Sequence, residues 1–154
     1  MTPVVGALAL GLVALAGLPA AARADETAAV RSRVEHHGRQ AAALADHFGA
    51  VVGQGCPRFG TAAEWQSWLD GEMDRAVLFL AHVEQAWVEA RTTGDDDIRR
   101  AAKAHRRRLG NAWPLVDKLS ACAADHGVTL PVWRFWRRVE REVPQRQSEI
   151  ALPR

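Results

Sequence analysis

VRSRVEHHGRQAAALADHFGAV, residues 30–51, decides the fold. Apolar or core-sized side chains fall at Val30, Val34, His37, Ala41, Leu44, Phe48 and Val51. The alternating four- and three-residue steps place all of them on one stripe of an α-helix, which must be covered by other helices. Gly53 and Gly55 end the run.

The same period recurs downstream. Thr61-Ala62-Ala63-Glu64 is a capping box, in which the hydroxyl takes an orphan amide and the carboxylate reaches back. It predicts a second helix with Trp65, Leu69, Met73, Ala76, Leu80, Val83, Trp87 and Ala90 on one face, ending at Gly94. Asp95, Asp96 and Asp97 suit the positive end of a third helix. Its seam runs through Ile98, Ala102, His105, Leu109, Ala112, Val116, Leu119 and Ala123 to Gly127. Pro114 interrupts that helix. Because the seam keeps its phase across the proline, a kink is expected rather than a reversal. Thr129 and Pro131 open a shorter fourth helix carrying Val132, Phe135, Trp136, Val139 and Val143. Pro144 is expected to stop it and to leave residues 145–154 as a loose tail. The expected fold class is all-α: an antiparallel bundle of three long helices, the third kinked near Pro114, plus a shorter fourth, over residues 25–144.

Short loops make successive helices antiparallel. Cys56 in the first loop and Cys122 near the end of the third helix then meet at the same end of the bundle. A disulfide between them is expected, most naturally in an oxidising compartment. The alternative is a pair of buried thiols or of metal ligands.

Residues 1–24 read as a secretory signal. Val4 to Leu18 is an uncharged run of Val, Ala, Leu and Gly, and Pro19 and an Ala22-Arg23-Ala24 cleavage pattern follow. The alternative is a retained N-terminal membrane anchor. Only two of the twenty Lys and Arg residues are lysine, Lys103 and Lys118, a skew that points to a GC-rich bacterial genome. The expected location is therefore the periplasm or the medium.

The 154 residues, 48% hydrophobic with a net charge of +2, fit one globular domain. They exclude a disordered chain and a multi-span membrane protein. The charge is polarised: residues 25–98 are acidic and residues 99–154 basic. On packing, the two halves largely cancel. A basic C-terminal part also leaves room for contact with a membrane surface or an acidic partner. Near-zero net charge on an exported chain argues against nucleic acid.

The sequence carries no familiar catalytic or cofactor motif. The chain has no C-x-x-C-H, G-x-S-x-G, H-E-x-x-H, P-loop or Glu-x-x-His pair. Two constellations remain. His37, His82 and His105 fall at nearly one level of three helices, with His36 beside them. Imidazoles from facing helices suit copper or zinc, or axial ligation of a b-type haem. Histidines packed with single hydrogen bonds are the alternative. The second constellation is aromatic and basic: Trp68, Trp113 and Trp133 with Arg106, Arg107, Arg108, Arg134, Arg137 and Arg138. Such a surface suits a protein partner, a small ligand or a membrane headgroup. The leading expectation is thus a non-catalytic binding role, with a protein partner or small ligand. A metal or haem bundle comes second. Third is an all-α enzyme using inward arginines on an anionic substrate. An apolar groove left uncovered by three and a half helices would also permit a homodimer.

Overall fold

The computed structural model describes residues 20–153. Among them it holds five α-helices and no strand: α1 (Ala20–Gly53), α2 (Ala62–Ala90), α3 (Asp96–Arg106), α4 (Ala112–Asp125) and α5 (Val132–Ile150). The apolar run expected to be a signal or anchor lies almost entirely outside the described residues. None of the described helices is long and apolar enough to cross a membrane.

The helix ends follow their sequence signals. Thr61 Oγ1 accepts from the Glu64 amide at 3.2 Å, and Glu64 Oε2 accepts from the Thr61 amide at 2.9 Å, which completes the capping box. Asp95 Oδ1 accepts from the amides of Asp97 and Ile98 at 2.8 and 3.0 Å and starts α3. Gly127, at φ 70°, closes α4, with the Val128 amide donating back to the Ala123 carbonyl at 2.9 Å.

Three pairings set the direction of α1 against α2. Arg33 meets Glu89, His37 meets His82 and His47 meets Glu72, so the two helices run antiparallel. The third helical run is divided by a 3-10 turn at Arg107–Asn111, just before Pro114. It does not turn back on itself. Ile98 and Ala102 pack with Val30, Val34, Ala86 and Ala90 at one end of the bundle. Cys122 joins Cys56 at the other, with a Cα–Cα distance of 5.4 Å and an S–S distance of 2.07 Å. The expected single kinked helix is therefore two helices, α3 and α4, and the helix count is five rather than four.

A second correction concerns Pro144. The helix expected to stop there continues to Ile150. A proline inside a helix loses one ladder bond. Here packing offsets that loss on both sides, because Val143 is buried and Ile150 rests against the main core. Most of the expected loose tail is thus the last part of α5.

α2 is the central helix. One side faces α1 and α3, and the other faces α5. A single apolar stripe would bury one side only, yet Phe79, His82, Gln85, Ala86 and Glu89 are buried as well as Leu69, Met73, Leu80 and Val83. α5 begins at the disulfide end and returns along α2, where Arg138 pairs with Asp70 and Asp74.

Candidate functional site

α2, α4 and α5 leave a groove between them. Leu80 and Glu84 come from α2, Trp113 and Val116 from α4, and Phe135, Trp136, Val139 and Val143 from α5. Its volume is about 330 Å³. The lining is apolar apart from the Glu84 carboxylate, and Arg106 holds that carboxylate at 3.3 Å. The Arg106 guanidinium also lies over the Trp87 ring, 5.4 Å from its centre. Trp113 forms one lip. Its ring is 5.0 Å from that of Trp136, and 51% of its surface is exposed. Trp136 in turn meets Phe135 edge-on at 5.3 Å. The local cause is the interruption of the third helical run. The 3-10 turn ends at Asn111, so Trp113 stands in the first turn of a new helix opposite α5.

The second feature is a buried polar layer between α1 and α2. His37 Nδ1 and His82 Nδ1 are 3.0 Å apart, with both side chains withdrawn from solvent. One ring must donate and the other accept. His37 Nε2 is buried without a partner. An orphaned lone pair is tolerated better than an orphaned N–H, so His37 carries its proton on Nδ1 and donates to His82. Burial, and for His37 also the neighbouring His82 and His36 rings, lowers His37 to about 4. Burial and then His36 lower His82 to about 4. Both rings are neutral at neutral pH. His36 closes the group, with its ring 5.3 Å from His37 and 6.4 Å from His82.

His105 does not complete this layer. Its ring lies against Gly38 of α1, so close that a Cβ at position 38 would occupy the ring's space. Burial lowers its pKa, and the Arg108 charge adds to the effect. Among the described residues no three His, Cys, Asp or Glu side chains are arranged to hold a metal ion. The expected layer of His37, His82 and His105 is realised only in its first two members, with His36 as the third ring.

The expected aromatic and basic surface is dispersed. Trp68 is half-buried at the disulfide end against Trp65 and Phe59. Trp113 belongs to the groove. Trp133 stands free at the start of α5, with the Arg134 and Arg137 guanidiniums 5.5 and 5.2 Å from its ring centre. Arg106 caps the groove's one carboxylate, and Arg107 is exposed on the 3-10 turn. Arg108 lines a shallow cleft with Glu35, Arg39 and His105. Arg138 is taken up by Asp70, Asp74 and Glu142. Arg33, also half-buried, is bound to Glu89 at 2.9 Å. Arg33 and Arg138 are thus both ion-paired with carboxylates of α2.

Sequence reading missed two ion networks on α2. Glu89 accepts from Arg33 and from Gln85 Nε2, the latter at 3.0 Å. Glu72 accepts from Arg75 at 2.9 Å and lies 2.8 Å from His47 Nε2. The available signal was their spacing. Glu72, Phe79, His82 and Glu89 repeat at helical period on a second face of α2. Gly38 was missed too, though a glycine inside a long helix costs about 1 kcal/mol against alanine and asks for a reason.

No protein-family model, no curated protein and no solved structure matches this chain.

Proposed function

We propose that this chain is an exported, non-catalytic binding protein that takes a small apolar or aromatic molecule into the groove between α2, α4 and α5. The observation that carries this reading is the groove itself. Ligand sites are concave, mostly apolar and of about 300–1,000 Å³, and this one, at about 330 Å³, stands at the small end of that range. Two indoles face its opening from different helices, giving flat surfaces on which a ring or hydrocarbon body can lie. The single carboxylate, Glu84, is neutralised by Arg106. An uncharged ligand therefore meets no unpaired charge. Export rests on the apolar run from Val4 to Leu18 and the Ala22-Arg23-Ala24 pattern.

The reading is tested by titrating the protein with N-phenyl-1-naphthylamine, a neutral apolar fluorophore. Saturable, one-to-one enhancement is expected for the native protein. Trp113→Ala removes an exposed lip without disturbing the core and is expected to weaken binding about tenfold, the scale of losing one aromatic contact. Trp133→Ala serves as the control and should leave the affinity unchanged. Absence of saturable binding, or equal affinity in Trp113→Ala, would contradict the assignment.

A further inference from the structure

We infer that the start of α5 is a docking face for an anionic lipid bilayer. Three of the five large hydrophobic side chains most exposed in the described chain fall within six residues: Val128, Val132 and Trp133, at 42%, 42% and 55% exposure. Val128 lies in the loop before α5, and Val132 and Trp133 are its first two residues. Trp133 lines none of the grooves described above.

Behind this apolar tip the charge is positive. Arg134 and Arg137 stack on the Trp133 ring at 5.5 and 5.2 Å, and neither forms an ion pair among the described residues. Arg141 follows one turn later on the same outward side, while Phe135 and Val143 hold the opposite side in the core. Two of the three carboxylates of α5 are engaged by arginines other than the stacked pair, and the third, Glu140, offsets only part of their charge. Glu142 is engaged by Arg138 and Arg141, and Glu149 by Arg146. Glu140 stays exposed and unpaired among the described residues.

The order of these residues along the helix matches the layers of a bilayer surface. Valine and an indole at the helix start suit the boundary between headgroups and acyl chains, where tryptophan concentrates. Arg137 lies about 6 Å further along the axis, at 1.5 Å per residue. Its guanidinium then reaches the phosphate layer while its stem covers apolar surface. A protein partner with an acidic pocket would instead match a compact aromatic anchor, and here the apolar residues are spread over a loop and a helix end. The groove and this face share α5 but no residue, so either assignment can fail alone.

Co-sedimentation with vesicles tests the inference, using the full chain as recovered from the cell. Phosphatidylcholine vesicles are compared with vesicles in which half the lipid is phosphatidylglycerol. The expected result is at least tenfold stronger partition to the anionic vesicles, weakening as salt is raised. Arg134→Gln/Arg137→Gln should lower that partition roughly twentyfold, near fivefold for each charge. Trp133→Ala should lower it on its own. These side chains are exposed, and unchanged circular dichroism would verify that the variants fold. Equal binding to both vesicle types, or equal binding by the variants, would overturn the inference. So would capture by an acidic polypeptide such as polyglutamate with no binding to vesicles.

Discussion

His37 and His82 show how far one buried pair can set the behaviour of this protein. Their Nδ1 atoms share a single proton, and the pull of Glu89 on His37 is outweighed by burial and by the neighbouring rings. Both are lowered to about 4 from an ordinary value of 6.5. Between these limits the unfolded chain binds more protons than the folded one. Stability is therefore complete above pH 6.5 and is lost as pH falls toward 4. A shift of this size on one ring corresponds to a loss on the order of 3 kcal/mol. Urea denaturation at pH 7 and pH 4 should show such a drop. Carboxylates such as Asp95, whose cap bonds favour the charged form, lose their contribution mostly below pH 4 and add little to this drop. The variant His37→Leu/His82→Met separates the contributions, because replacing both partners leaves no orphaned ring. Its stability should depend less on pH across this window. An identical pH profile in both proteins would show that the pair is charged in the folded state or carries no linkage.

At the scale of elements, the disulfide holds the most leverage. Cys56 and Cys122 are 66 residues apart and join the first loop to α4. Lys118 adds a hydrogen bond from α4 to the Gln54 carbonyl in the same loop. Cross-linking a loop of this length stabilises by about 4 kcal/mol in the chain-entropy model. Cys56→Ser/Cys122→Ala should accordingly lose about 4 kcal/mol, a large share of a domain stability of about 5–15 kcal/mol, read from urea denaturation. A loss under 1 kcal/mol would mean that this end is held by packing alone. The disulfide was legible because it needed only helix directions and loop lengths. α1 was legible for a similar reason: Val30, Val34, His37, Ala41 and Phe48 are all buried as their spacing requires. α2 was half legible. Its apolar stripe is real, but the face toward α1 carries Glu72, His82, Gln85 and Glu89, which periodicity of hydrophobic residues does not detect. The end of α5 was misread because a local rule about Pro144 competes with packing by Val143 and Ile150, and packing prevails. The histidine layer was read in part. Heights along helices placed His37 and His82 together, but rotation about the helix axis sent His105 onto Gly38.

At the scale of the whole molecule, the acidic first half and the basic second half meet across helices. Arg106 pairs with Glu84, and Arg138 with Asp70 and Asp74. Part of the polarity visible in the sequence is spent internally, and Arg134 and Arg137 are among the basic residues that form no ion pair among the described residues. The buried apolar residues along α2 fall into two clusters, a small one with Val30, Val34, Ile98 and Ala102 and a larger one toward the disulfide end, and the groove is the place where α4 and α5 do not close over the larger one. The most direct test of the groove as the binding site uses the six tryptophans. Each indole N–H gives its own signal in a two-dimensional nitrogen–proton NMR spectrum, assignable by single Trp→Phe variants. On addition of N-phenyl-1-naphthylamine, the signals of Trp113 and Trp136 should shift together and saturate at one equivalent, while those of Trp65, Trp68 and Trp87 stay in place. Shifts confined to Trp65 and Trp68, or no saturable shift at Trp113 and Trp136, would contradict the account.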